Sequence, residues 1–480
     1  MPFLPNVPPP PIPTSQDDQQ RFESTRQRER LMSGVWQGDL QRELVAQLGR
    51  IRTNATGSSD MSSCLLRSIA LQLAVLYDRA PIVTHPFGAE DLVGAGGLLE
   101  SAGLWQLMIG VQQQVIALNE MLMAVAISPD GRPLYRPVSP SYVVAEASVE
   151  QPDEPISVRE LRLRKHPETG AYVWAWDCWF PRDRHFSVRT AGSTETDVTS
   201  LYITTADGVP VSGPLEGDDY PYLNPDGSGI LPFGFWHSIR TGRLWNPYLN
   251  QEVVSGSLVA AVGYNFWWHC LRDASYPQRY AVSCVIPGLG LEDSDTAPRS
   301  SIVTDPSTIL MLSQDESESQ PMLGQWNPAS DPSMLLECLQ HYESRIAQYA
   351  GISPSDIQRQ SGQAQSGYAI SLSQNGKREA RAKYAPQMER GDSALVSTTA
   401  AMLNSVTGSS WPTSGYSVRY AAVPKSPTEL DAERRHVLEL LEASLIDRAD
   451  ALMMLSPGMT RSEALARLEA IRRLNISTAA

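Results

Sequence analysis

A tryptophan-rich stretch with one acidic residue comes nearest to an enzyme site. In "AYVWAWDCWF" the alternation predicts a strand whose two faces carry Tyr172, Trp174, Trp176, Cys178 and Val173, Ala175, Asp177, Trp179, respectively. Aromatic rings beside a carboxylic acid could bind and cleave a sugar, but glycoside hydrolysis uses a pair of carboxylates. No motif places a second carboxylate near Asp177. A packed sheet face is therefore favoured, and a carbohydrate-active enzyme using Asp177 is the alternative.

A second group of residues with chemical potential is acidic and lies between and just after two β-like stretches. Its members are Glu292, Asp293, Asp295, Asp315, Glu316 and Glu318. Metal binding would require several of these oxygens to converge on one point. Charge runs of this kind are more often solvated loops, so no metal site is predicted.

Motifs for catalysis or cofactor binding are absent from the sequence. There is no GxxxxGK[ST], HExxH, GxSxG or CxxC. "VGAGGLLE" at 93–100 lacks the third glycine of a dinucleotide fingerprint and is interpreted as a turn entering a helix. The histidines are isolated, and His269 in "FWWHC" is expected to be packed. We therefore predict no catalytic residue, no cofactor and no metal.

Composition and net charge argue against several classes of protein. The chain has 480 residues, a formal net charge of -14 and a hydrophobic fraction of 42%. This acidity argues against a protein that wraps nucleic acid through a basic face. The five scattered cysteines are expected to be reduced and buried. Neither a signal peptide nor a run of ~20 apolar residues is seen, so we expect no membrane segment.

The first half of the chain predicts helices followed by strands. After a proline-rich tail, helices are expected over 17–50, 62–77 and 98–123. From Ala124 onward, short β-rich pieces follow one another. "HPETGAY" between two of them predicts a hairpin turn with Gly170 at positive φ.

The second half predicts long helices. One of about 25 residues starts near Asn246, and another follows the start signal Asp331-Pro332 and ends at Gly351. Short β-like pieces are predicted between these two helices, in 277–290 and 300–314. A polar loop then leads into a helix over 367–406, where Pro386 predicts a bend.

The C-terminal part predicts one strand and then more helices. "GYSVRYAAVP" has to pair with a strand far back in the sequence, and the β-rich region before residue 245 is the available partner. Helices are predicted over the last 55 residues, with a capping box formed by Thr460 and Glu463.

The two helices that bracket the β-like pieces carry more apolar side chains than one partner can cover. Leu249, Val253, Leu258, Val262, Phe266 and Trp268 do not share one face of the first helix. A pair of such helices, tipped by a small β module, has a poor core on its own. Neighbouring copies are therefore expected to cover the remaining surface.

Three stretches carry a resemblance to a known family. "ILPFGFWHSIRTGRLWNP" precedes the first long helix, "SPSDIQRQSGQAQSGYAISLSQ" follows the second, and "YSVRYAAVPKSPTELDAERRHVLELLEASLID" joins a strand to the C-terminal helices. In these stretches and in the order of its elements, from about residue 20 to 475, the chain resembles the portal proteins of tailed bacteriophages.

The resemblance implies an α+β fold with named parts. These are a flexible tail (1–16), a wing (17–245, with 407–425 returning), a first stem helix (246–275), a small α/β clip (276–332), a second stem helix (333–350), a tunnel loop (351–366), a long kinked helix (367–406) and a helical crown (426–480).

The resemblance also implies a function and partners. Family members form rings, commonly of twelve copies, at the capsid vertex of the virion, after synthesis in the bacterial cytoplasm. Double-stranded DNA passes through the ring non-specifically during packaging and ejection. The expected partners are further copies of the chain, the major capsid protein, the terminase large subunit, a head–tail adaptor and a scaffold protein. Another phage assembly or scaffold protein is a further alternative.

Three groups of residues take roles from the resemblance. The tunnel loop would bring Gln358, Arg359, Gln360, Gln363 and Gln365 to the DNA channel, although an ordinary surface loop is the alternative. For the basic residues of the kinked helix, Lys377, Arg378, Arg381 and Lys383, salt bridges between subunits are favoured over DNA contacts. The acidic clip residues Glu292 to Glu318 would face the motor or the tail, or remain solvated.

Overall fold

The chain folds into helices and antiparallel sheets, the mixed α+β class expected from the sequence. The computed structural model describes residues 10–11, 15–48, 64–128, 130–166, 169–192, 194–199, 201, 220–275, 281–283, 324–326, 331–352, 367–421, 427–456 and 461–478. Residues 1–357 and 384–420 form one compact unit, and residues 358–383 and 421–480 form a second.

Helices open the first unit. They are α1 (Gln16–Ser33), α2 (Gln37–Leu48), α3 (Leu65–Leu73), α4 (Glu90–Val93), α5 (Leu98–Ser101) and α6 (Leu104–Leu118). The single helix predicted over 17–50 is in fact two, because Gly34 ends α1 in the left-handed conformation at φ +79°. Gly97 immediately precedes α5, which confirms the helix-entry turn predicted at 93–100.

The helix predicted over 98–123 begins at Leu98 as expected, but it is interrupted and ends too early. It breaks between α5 and α6 and stops at Leu118, where Asn119 has φ +75°. Strand β2 (Glu120–Ile127) begins at the next residue and is almost entirely buried. A strand buried on both faces has a continuous apolar sequence, which periodicity cannot distinguish from a buried helix.

A four-stranded antiparallel sheet follows the first strands. Its order is β4 (Val143–Ala147), β5 (Pro155–Lys165), β6 (Tyr172–Phe180) and β7 (His185–Thr190). The hairpin predicted between β5 and β6 is confirmed, with Gly170 at φ +67°. Trp176 and Cys178 of β6 pack with Leu161 of β5 and Phe22 of α1. A further β-rich piece predicted from the sequence, "SLYITTADGVPV" at 200–211, lies almost wholly outside the described residues.

Two smaller sheets of the first unit involve strand β2 and four further strands. β2 pairs on one side with β3 (Pro133–Val138) and on the other with β8 (Phe233–His237). The strand predicted in "GYSVRYAAVP" is β11 (Ser417–Arg419), which pairs antiparallel with β1 (Ile82–Thr84). Its partner thus lies far back in the chain, as expected, but before the β-rich region that the sequence favoured.

The first unit also contains two long helices. They are α7 (Gln251–Ser275) and α8 (Pro332–Tyr349). Asp331 caps α8 by accepting hydrogen bonds from the backbone N–H groups of Ser333 and Met334, which confirms the predicted start signal. Between them in the chain, β9 (Ala281–Ser283) pairs antiparallel with β10 (Gly324–Trp326). β9 lies within a predicted β-like piece, whereas β10 was not predicted; the piece at 300–314 lies outside the described residues.

The longest helix, α9 (Gly367–Thr407), continues through Pro386. It confirms the predicted long helix, and its residues from Tyr384 onward belong to the first unit. In the second unit, α10 (Pro427–Glu442), α11 (Arg448–Leu455) and α12 (Arg461–Thr478) follow. A capping box lies at Asp447 and Asp450, where α11 begins; the predicted cap Thr460 lies outside the described residues.

Candidate assembly surface and its supporting junctions

The antiparallel pair of α7 and α8 is held together by close backbone approach. A Cβ added at Gly263 would lie 2.3 Å from Leu339 Cδ2, and one added at Gly256 would lie 2.7 Å from Ile346 Cδ1. Glycine at both positions lets side chains of α8 rest on the backbone of α7. The Tyr264 hydroxyl donates to Glu343 Oε2 at 2.9 Å and joins the helices beside this contact.

The pair leaves large apolar side chains uncovered. Phe266 is 40% exposed, Trp268 60%, Met334 64% and Tyr349 63%. The sequence predicted that α7 carries more apolar side chains than one partner helix can cover. This is confirmed only for the outer part of α7, at Phe266 and Trp268. Val253, Leu258 and Val262, also named for that expectation, are buried in the unit's own core.

Arg28 connects the start of α7 to the helices beneath it. Its guanidinium, buried at 1% exposure, donates to Leu249 O at 2.7 Å, Ala117 O at 3.0 Å and Gln251 Oε1 at 3.2 Å. Burial lowers the Arg28 pKa to about 10, so the group remains charged at neutral pH. One cation thereby satisfies carbonyl groups from the end of α6 and from the turn before α7.

Asn119 and Glu120 extend the same junction. Asn119 Nδ2 donates to Asn246 O and Leu249 O, and Glu120 Oε1 accepts from the Asn246 backbone N–H at 2.7 Å. Burial raises the Glu120 pKa to about 8, although Arg28 and the hydrogen bond from Asn246 oppose the shift. The residues that end α6 and begin β2 therefore position the entry to α7.

A buried carboxyl group anchors α9 in the first unit. Asp392 accepts from Trp236 Nε1 at 3.0 Å and from the hydroxyl groups of Tyr77 and Tyr420 at 2.8 Å each. Despite these donors, burial raises the Asp392 pKa to about 7, and nearby Glu389 adds to the shift. The Asp392 network joins α9 to strand β8 and to the segments after α3 and β11.

Gly391 sets how closely α9 approaches Trp236. A Cβ there would lie 2.2 Å from Trp236 Cδ1 and 2.3 Å from its Nε1, and the rigid ring cannot bend away. We expect Gly391→Ala to lower the free energy of unfolding by about 3 kcal/mol, measured by equilibrium urea unfolding. Gly110→Ala is the matched control, since Gly110 lies inside α6 with nothing within 4 Å of an added Cβ. That change should stabilise by about 0.5–1 kcal/mol; equal effects of the two changes would contradict the close approach.

Asp177, the acid of the alternative enzyme interpretation, belongs to an ion-pair network. Asp177 is 1% exposed and accepts from Arg164 at 2.6 and 2.9 Å and from Arg162 at 3.3 Å. Both of its oxygens are therefore engaged by guanidinium groups. The neighbouring face of β6 packs against α1 rather than lining a cleft. These contacts support the packed sheet face and speak against a sugar-cleaving acid at Asp177.

The structure does not test the roles that the resemblance gave to particular residues. The loop residues Gln358, Arg359, Gln360, Gln363 and Gln365 and the six acidic residues from Glu292 to Glu318 lie outside the described residues. Lys377, Arg378, Arg381 and Lys383 lie on the part of α9 that belongs to the second unit. The side chain of His269 is likewise outside the described part. Cys64 and Cys178 are buried and free, whereas Cys338 is exposed, contrary to the expectation of burial.

Arg28, Glu120 and Asp392, which carry the junctions, were not predicted from the sequence. The available signal was a charged residue within an apolar run, as in "LNEMLM" and "GDSALV". Within the described ranges, no group of three or more metal-ligating side chains converges. In the same ranges no single helix could span a membrane; the bent pair Glu90–Ser101 and Leu104–Leu118 meets the length and composition criteria together.

Comparison with known proteins gives only distant structural likeness. No family model matches the chain, and no curated protein matches it. Among solved structures, "Neck of empty GTA particle computed with C6 symmetry" has a TM-score of 0.41 at 12% identity and covers 94% of this chain and 96% of that chain. "Virion of native gene transfer agent (GTA) particle" has a TM-score of 0.38 at 12% identity, with 91% and 100% covered. Likeness at this level carries no argument about function.

Proposed function

We propose that the chain is the ring-forming portal protein of a tailed phage or phage-like particle. Copies would surround a channel through which the genome is packaged and later ejected. The observation that carries the proposal is the α7/α8 pair, which exposes Phe266, Trp268, Met334 and Tyr349. An isolated chain gains nothing from these exposed groups, whereas neighbouring copies would bury them.

The order of the elements supports the same proposal. Two long antiparallel helices bracket a short β pair, a helix of 41 residues follows, and β11 then returns to β1 of the first unit. Helices end the chain in the second unit. This is the order that the resemblance to portal proteins leads one to expect.

The junctions at Arg28 and Asp392 support a mechanical role. Arg28 ties α7 to α6 and Asp392 ties α9 to β8, each through several hydrogen bonds to buried partners. A channel protein must hold its helices in place while DNA moves past them. The hydrogen bonds of Arg28 to the start of α7 and of Asp392 on α9 would provide that rigidity.

The site assignments from the resemblance are part of the proposal. Gln358, Arg359, Gln360, Gln363 and Gln365 would line the channel with weak, sequence-independent contacts. Lys377, Arg378, Arg381 and Lys383 would form salt bridges between subunits. Sparse basic groups in an acidic assembly suit DNA that must slide, because many phosphate contacts would produce tight, salt-dependent binding.

The proposed protein has no catalytic step of its own. ATP hydrolysis would belong to the terminase large subunit docked on the ring, and a head–tail adaptor would later take its place. The major capsid protein and a scaffold protein would surround the ring at one vertex of the virion. The engagement of Asp177 by two arginines supports this non-enzymatic assignment.

Imaging of the purified protein tests the proposed function. We expect negative-stain images to show rings of about a dozen copies with a central hole, and native mass spectrometry to give the same copy number. Assembly should be tested across salt and protein concentration, and with the scaffold protein. A monomer or a small closed oligomer without a channel under every condition would contradict the proposal and favour a different assembly protein.

A further inference from the structure

Among the described residues, the outer half of the α7/α8 pair is exposed on two opposite sides. Gly256, Gly263 and Tyr264 define the direction from α7 toward α8. Since successive helical residues turn by about 100°, Phe266 lies roughly 100° to one side of that direction and Trp268 roughly 100° to the other. Both rings are substantially exposed, at 40% and 60%.

Helix α8 continues the same two sides. Its contacts with α7 come from Leu339, Glu343 and Ile346. Because the helices are antiparallel, Cys338 then lies on the side of Phe266, and Gln340 lies on the side of Trp268. Cys338 and Gln340 are both exposed. We define the Phe266 side as Val259, Phe266, Cys338 and Tyr349, and the Trp268 side as Trp268 and Gln340.

Near the start of α7 and the end of α8 the pair is not two-sided. Val254, Ser257 and Ala261, which continue the Trp268 side toward the start of α7, are buried in the unit's own core. The Phe266 side remains exposed there at Val259 and Tyr349. Two exposed sides therefore coexist only from about Gly263 outward.

We propose that the Phe266 side of one copy packs against the Trp268 side of the next copy. The inference rests on the proposed function and assigns the contact between neighbours. A partner of another kind would have to bind twice, on two unlike surfaces, to cover both rings. A second copy of the chain covers one side of each type and again presents one of each, so the contact repeats. Such a heterologous contact closes into a ring when the rotation between neighbours divides a full turn, as the proposed function requires, whereas a two-fold contact would join two identical sides.

Crosslinking with a short bis-maleimide tests this assignment and leaves both aromatic rings in place. The background carries Cys270→Ser and Cys284→Ser, so that Cys338 is the exposed thiol while Cys64 and Cys178 are buried. Gln340→Cys adds a thiol on the Trp268 side. Positions 338 and 340 point about 160° apart on one helix, which hinders a link within one chain.

The expected result is a ladder of covalent multimers up to the ring's copy number with Gln340→Cys, and monomers without it. Rings in native mass spectrometry that give no ladder would overturn the assigned contact while leaving the proposed function standing. Dimers formed through Cys338 alone would indicate a two-fold contact and also overturn it. If every condition gives only monomers in native mass spectrometry, the proposed function fails and the assignment fails with it.

A second measurement uses the aromatic residues themselves. Phe266→Asp and Trp268→Asp should each raise the protein concentration needed for half-maximal assembly at least tenfold, because each places a charge in the buried contact. Phe87→Asp is the matched control, since Phe87 is 89% exposed on a loop of the first unit. Circular dichroism confirms that each variant is folded. Folded Phe266→Asp and Trp268→Asp variants that assemble like the control would contradict the proposal.

Discussion

Replacing Arg28 with methionine is expected to lower the free energy of unfolding by about 4 kcal/mol. The methionine fills the volume of the arginine stem but donates no hydrogen bond. Ala117 O, in a fully buried residue, and Leu249 O, in a half-buried one, then lose a charged donor. Buried Glu120 also loses the cation whose charge opposes its neutralisation. Equilibrium urea unfolding of the monomeric protein measures this loss in the free energy of unfolding.

Two further variants show whether the geometry of Arg28 matters. Arg28→Lys keeps the charge but cannot reach three acceptors with one planar group, so it should recover less than half of the lost stability. Arg42→Met is the matched control, because Arg42 is 69% exposed and its buried partner Asp39 keeps an ion pair with Arg30 when Arg42 is replaced. Its effect should stay below about 1 kcal/mol. If Arg28→Met and Arg42→Met cost the same, Arg28 does not hold the junction.

Local sequence signals predicted the elements that local chemistry determines. The hairpin at Gly170 follows from a residue that accepts positive φ between two alternating strands. The start of α8 follows from Asp331 and Pro332, which supply a cap and a preset φ. Such signals act over a few residues and do not depend on distant parts of the chain.

Elements decided by burial were harder to predict. Strand β2 lies between β3 and β8 and is buried along nearly its whole length, so its sequence has no alternating pattern. The run from Leu98 to Met123 therefore looked like one long apolar helix. The change from helix to strand depends on Asn119 and Glu120, whose contacts lie more than 120 residues away at Asn246.

The candidate site was predicted in kind but not in detail. Excess apolar groups on α7 indicated a surface for neighbouring copies, yet which of them stay exposed depends on helices α2, α3 and α8. The sequence signal for the buried groups at the junctions was weaker still. Asp392 receives hydrogen bonds from Tyr77 and Trp236, which are 315 and 156 residues away in sequence. No pattern in one sequence connects positions so far apart.

The pH dependence of Asp392→Asn should reveal the state of the buried carboxyl group. In the unfolded chain the Asp392 pKa is 3.8, and in the fold it is about 7. Below pH 3.8 both states are protonated, and the full contribution to stability is present. Between these values only the unfolded chain ionises, so the wild type loses stability as the pH rises through the folded pKa. Asparagine does not titrate, and the stability advantage of the wild type over Asp392→Asn should therefore shrink by up to roughly 4 kcal/mol between pH 4 and 7.5.

The sign of this trend separates two descriptions of the Asp392 network. If Tyr77, Tyr420 and Trp236 held the group as a carboxylate already at pH 4, the wild-type advantage would stay constant or grow as the pH rises. Asp197→Asn is the control, because the hydrogen bonds from Thr199 lower the Asp197 pKa and place its titration below this range. Its stability difference should be flat above pH 5, since a lowered pKa contributes fully above the unfolded value. A declining difference for Asp392 beside a flat one for Asp197 would show that burial outweighs three hydrogen-bond donors, and that α9 is anchored through a largely neutral acid at slightly acidic pH.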